Sequence, residues 1–157
     1  MQESIKCLAQ ANKLFKTADH LTYMTYPLVK DERLIITIME NLAEAMAIGM
    51  NALLERESAL GKIKKVPIEF KDRFEIFKNE CAKRYNFNLG HLELLKDLNV
   101  LQDLRKNSSF EFSRNGYYVL AEKDFRTRKL TYQMIKNDLN LSKGFFEKIN
   151  SIMKNVN

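Results

Sequence analysis

Apolar residues recur at steps of three and four through most of this chain, the period of a helix that hides one face. Ile5, Leu8, Ala11, Leu14, Phe15, Ala18 and Leu21 form such a stripe from Ser4 to about Met24. Pro27 follows, and its ring disfavours helical dihedrals at Tyr26, which predicts a break there. Asp31 is placed to cap the next helix, with Glu32 near the positive end of its dipole. That helix should be the longest, from about Glu32 to Ala59, and its wide apolar surface puts it at the centre of a bundle. Small residues Ala43, Ala45, Ala47, Gly49 and Ala52 would let a neighbour approach closely, either inside the bundle or at a dimer seam. Gly61 suits its end.

Beyond Pro67 a third helix is predicted over residues 69 to 85, with Phe70, Phe74, Phe77 and Cys81 on one stripe. Asn86 to Gly90 reads as a turn. A fourth helix from about His91 to Arg105 carries leucines at three-residue steps, a broad stripe rather than a coiled-coil seam. After Lys106 the period shifts to two. Phe110 and Phe112 alternate with polar residues, Asn115-Gly116 has type I′ turn chemistry, and Tyr117 to Leu120 are strand formers, which predicts a β-hairpin over about 110–122. A hairpin alone is marginal, so it must rest on the bundle. The segment EKDFRTRK reads as a charged loop. Thr131 caps a last helix from Tyr132 to about Met153, with a kink or a split expected at Leu141 to Gly144.

The pattern therefore predicts a mainly α protein, an up-down bundle of about five helices with one short β-hairpin before the last helix, as one domain over residues 1–157. Composition agrees: five Gly and two Pro are few for an all-β chain, and 45% apolar with 29% charged residues is ordinary for a globular domain. With no run of about 18 uninterrupted apolar residues and no secretory signal, the expected compartment is the cytoplasm, with no membrane contact. A reducing compartment would leave Cys7 and Cys81 as small buried hydrophobes.

Charge is uneven. Residues 1–61 hold six Lys/Arg against eight Asp/Glu, whereas residues 62–142 hold 17 against 11. This asymmetry is compatible with an anionic partner such as RNA. Two histidines, His20 and His91, neither three residues after a Glu, cannot complete the Glu-x-x-His motifs of a bundle metal site, and no glycine-rich phosphate loop is present. No metal and no cofactor are expected. Adjacent residues of a strand face opposite sides, so one of Tyr117 and Tyr118 packs inward and the other stays outside. With Tyr118 as the outer ring, flanked by Arg114, Lys123, Arg126, Arg128 and Lys129, a base could stack beside phosphate-binding cations; a half-buried tyrosine in a solvated loop is the plainer alternative.

The order of two long helices, shorter helices and an Arg at the end of the fourth resembles the HEPN superfamily of small α-helical domains. That family's motif is an Arg, four to six residues, then a His, sometimes followed by x-Tyr. The matching segment here is Arg105-Lys-Asn-Ser-Ser-Phe110-Glu-Phe112. Arg105 is in place, while Phe110 and Phe112 stand where the His and Tyr would be, and phenylalanine carries no proton. The resemblance implies a homodimer and a non-catalytic relative of RNA-cleaving domains. The expected function is thus an interaction module associated with RNA or nucleoprotein through a basic surface of Lys62, Lys64, Lys65, Arg105, Lys106, Arg114, Arg126, Arg128 and Lys129. The alternatives are a ribonuclease that combines Arg105 with Ser108, Ser109 or His91, and a protein-binding scaffold.

Overall fold

The computed structural model describes residues 1–121 and 126–155. The chain is mainly helical, as the apolar periodicity predicts. Helix α1 (Gln2–His20) runs through a wider π-helical turn (Leu21–Thr25) into α2 (Tyr26–Val29). The break expected at Pro27 is therefore displaced. Tyr26 keeps helical dihedrals of −58° and −44°, and the chain turns only at Lys30, in the left-handed region at φ 52°. Pro27 sits in the first turn of α2, where a missing N–H matters least.

Helix α3 (Arg33–Ala59) is the centre of the molecule. Glu32, not the expected Asp31, occupies the N-cap position; Asp31 stands one residue before it and accepts from the Arg33 N–H at 3.0 Å. Ile35, Ile38, Met39, Leu42, Met46 and Leu53 are fully buried, and α1 and the helices Leu89–Asn107 and Tyr132–Lys154 pack around this one. By length and composition α3 could cross a membrane, but 56% of its most apolar stretch is buried inside the bundle, as for a helix enclosed by others. Gly49 leaves room for a close neighbour: a Cβ there would lie 3.3 Å from Phe145 and 3.5 Å from Phe146.

The third helical rod comprises α4 (Phe70–Ile76), a second π-helical turn (Phe77–Cys81) and α5 (Ala82–Tyr85). Asn86 at φ 54° ends it. Asn88 then caps α6 (Leu89–Asn107) by accepting from the Gly90 N–H at 2.7 Å. Rings of Phe77, Phe87 and Phe145 meet at centroid distances of 5.0 to 6.3 Å and tie this rod to the last helix.

Strands β1 (Phe110–Arg114) and β2 (Tyr117–Ala121) form the expected hairpin, with Asn115 and Gly116 both at positive φ in the turn. The Gly116 N–H donates to Glu32 Oε1 at 3.0 Å and anchors the turn near the start of α3. The hairpin is not alone, however. Thr127–Thr131, whose first three residues were expected in a charged loop, is a third strand, β3, antiparallel to β2. Its pattern is obscured because Arg128 occupies an inward position beside Leu130. Thr131 then caps α7 (Tyr132–Lys154), accepting from the Met134 N–H at 3.1 Å.

The helix is not split near Gly144; α7 is continuous from Tyr132 to Lys154. Glycine is present there for space. A Cβ at Gly144 would stand 2.9 Å from His91 Cε1 and 3.0 Å from Nε2.

Candidate nucleic-acid interface

Register and alternation divide the sheet into two unlike faces. Pairing places Phe112 opposite Val119, Arg114 opposite Tyr117, and Val119 opposite Lys129. One face therefore carries Phe110, Phe112, Arg114, Tyr117, Val119 and Lys129. The other carries Glu111, Tyr118, Leu120, Arg128 and Leu130, and its Tyr118, Leu120 and Leu130 join the core. The first face is the outer one.

On the outer face Phe110 and Phe112 remain 51% and 42% exposed, although each carries a large apolar ring. Their rings lie nearly parallel, 11° apart, with centroids 6.3 Å apart. Two residues apart on one strand, they point the same way. In the next strand Tyr117 is half-buried, and Lys129 Nζ sits 4.0 Å from its ring centroid, a close cation–π contact. Arg114 is exposed opposite Tyr117, and Val119 is buried beneath its neighbours. The result is a short platform of three aromatic rings edged by two cations.

Tyr118 is not on this platform. It is 6% exposed and faces the bundle, so the expected outer tyrosine is Tyr117 instead. Its phenol is pushed up to about 12 by burial first, then by its hydrogen bond to Glu111 and the negative charges of Glu111 and Glu40, with Arg105 opposing. Arg128 also points inward. Its Nη2 donates to both Asp97 oxygens at 3.0 and 3.2 Å, joining β3 to α6. Asp138 on α7 lies close enough to feel both charges: burial and Asp97 raise its carboxyl to about 6, while Arg128 opposes the shift.

Arg105, the motif arginine, is likewise answered from within. Its Nε lies 3.1 Å from Glu40 Oε1 and 3.1 Å from Glu111 Oε2. Neither oxygen lines up with the N–H, so these are charge contacts rather than directed hydrogen bonds. Ser108, a proposed substitute for the missing histidine, donates to the Phe110 and Ala121 carbonyls at 2.7 and 3.0 Å. His91 stands 14 residues before Arg105 on α6, about 21 Å along the axis. Its imidazole is depressed by burial, with the Leu141 carbonyl opposing and Lys148 adding to the shift.

The basic residues do not share one surface. Arg114 and Lys129 lie on the outer face, exposed Arg126 directly precedes β3, and exposed Lys106 follows Arg105 at the end of α6. Lys62, Lys64 and Lys65 follow the far end of α3, whose 27 residues span roughly 40 Å, whereas the sheet packs near its start. Lys62 is turned to Glu57 at 3.8 Å. Lys123 lies outside the described residues. Sequence alone does not reveal the outer-face role of Phe110 and Phe112; their spacing of two beside an Asn-Gly turn signals a shared face, but not which face meets water.

A second ionic cluster is structural. Glu57 is fully buried, with Arg84 Nη1 at 2.6 Å and Arg56 Nη1 at 3.4 Å, and Arg56 also donates to Tyr85 and to the Asn155 carbonyl. Cys81 nearby is a free thiol pushed up to about 12 by burial and by Glu57, as is unfavourable for a nucleophile. Among the described residues no group of three or more His, Cys, Asp or Glu is arranged to hold a metal. Comparison with protein-family models, with curated proteins and with solved structures gives no match, so the functional reading rests on the geometry of this chain.

Proposed function

We propose that this protein is a non-catalytic nucleic-acid-binding module that lays single-stranded RNA across the outer face of its three-stranded sheet. The observation that carries this reading is the pair of exposed, nearly parallel rings of Phe110 and Phe112 on the same face as the Tyr117–Lys129 pair. Unpaired bases stack on such rings whatever their sequence, while cations at the edges meet the phosphates. A duplex offers no free base face, so single strands are the substrate class.

The charge distribution supports a binding rather than a cleaving role. Arg105 faces two carboxylates, Ser108 is committed to backbone carbonyls, and His91 is a helix length away. In this reading the chain resembles a HEPN domain in helix order, but the positions of the family's His and Tyr carry rings that stack instead of transferring protons.

Fluorescence anisotropy with labelled single-stranded and duplex RNA at two salt concentrations tests the proposal. Single strands should bind more tightly, more weakly at higher salt, and at least tenfold more weakly to a Phe110→Ala/Phe112→Ala variant, given about 1–3 kcal/mol per stacked base. Absence of low-salt binding, or affinity indifferent to salt, would overturn it.

A further inference from the structure

The outer face of β3 leads directly onto α7, because Thr131 is both the last residue of the strand and the cap of the helix. There a second aromatic and cationic group is assembled from separate parts of the chain. Tyr132 stacks on Tyr26 at 4.0 Å and 10° and donates to the Thr22 carbonyl. One turn along, Lys136 Nζ lies 5.9 Å from the Tyr132 ring and 5.4 Å from the Tyr23 ring. Lys143, seven residues later on the same helix face, lies 5.1 Å from Tyr23 and 3.9 Å from Asp19.

Tyr23 is held across this face by donating its hydroxyl to Asn140 Oδ1 at 2.6 Å, yet it is 38% exposed. Its neighbour Met24 is 58% exposed. A pinned, partly open ring between two lysines repeats on a helix the chemistry that Tyr117, Lys129 and Arg114 offer on the sheet.

We infer that the nucleic-acid path continues from the sheet onto α7, where Lys136 and Lys143 meet phosphates and Tyr23 supports a base, so that the ligand is an extended single strand rather than one or two nucleotides. This inference rests on the sheet reading above. From Phe110 to Arg114 the strand covers about 14 Å, and from Tyr132 to Lys143 the helix covers about 16 Å, so the two segments together suit an oligonucleotide within the roughly 4–16 nucleotides of known single-strand sites.

The test compares single-stranded oligouridylates of about 4 and about 12 nucleotides on the wild-type chain and on a Lys136→Gln/Lys143→Gln variant, with circular dichroism to confirm that the variant is folded. The 12-mer should bind the wild type at least tenfold more tightly than the 4-mer. The variant should lose that advantage while keeping its 4-mer affinity, and its slope of log affinity against log salt for the 12-mer should become shallower by about 1.4, the share of two phosphates on a single strand. Equal 12-mer binding by wild type and variant would overturn the extension and leave the sheet site standing. Failure of the wild type to bind either oligomer would overturn both.

Discussion

Two acidic residues with opposite surroundings show what single side chains contribute. Asp138 is half-buried beside Asp97, and its carboxyl sits at about 6, above the usual value near 3.9 for an unfolded chain. The folded state thus holds this proton more tightly. Its stabilising contribution is fully present below about pH 4 and is lost as pH rises through 6. Asp138→Asn should therefore stabilise the protein at pH 7 by about 1 kcal/mol, after allowance for solvent screening, and by far less at pH 4. Urea unfolding at both pH values checks this; an equal effect at both would exclude the assignment. Glu57 is the converse case, a fully buried acid that holds Arg84 and Arg56 together. Glu57→Ala should destabilise by about 3–5 kcal/mol, because it strands buried positive charge. A loss below 1 kcal/mol in the same assay would contradict that role.

At the scale of elements, the helices were legible because each buries one stripe, and a stripe repeats visibly in sequence. The ends were less so. The π-helical turn before Pro27 absorbs a residue that a regular helix would have to shed, so the rod continues past its expected break. Strand β3 was hidden because Arg128 fills an inward position, and a sequence pattern does not reveal that Asp97 waits for it across the fold. Gly144 looked like a kink for the same reason: its partner is His91, 53 positions earlier. That contact yields a change of sign. Gly144→Ala alone should destabilise by about 1 kcal/mol or more, because the new methyl meets the imidazole. In a His91→Ala background the same substitution should stabilise by about 1 kcal/mol, the ordinary advantage of Ala over Gly in a helix. A double-mutant cycle measures it, and additive effects would show that the two residues do not compete for space.

For the whole molecule, the decisive feature is that α3 separates two basic regions that belong to one basic stretch of the sequence. Charge asymmetry along the sequence was correctly visible, but its distribution in space was not, since Lys62–Lys65 and the sheet lie towards opposite ends of a rod of roughly 40 Å. Beyond a Debye length of about 10 Å at 0.1 M salt, the distant lysines exert little pull on a strand at the sheet. Lys64→Gln/Lys65→Gln should consequently leave single-strand affinity within about twofold of wild type and the salt slope unchanged. Arg114→Gln/Lys129→Gln removes the same formal charge beside the exposed rings. It should weaken binding about tenfold or more and make the slope shallower by about 1.4. Because both variants lower the net charge of +6 by two, any difference between them reports position rather than bulk attraction. Equal losses from the two would mean that RNA senses only the overall charge, and the aromatic face would then have no special part in binding.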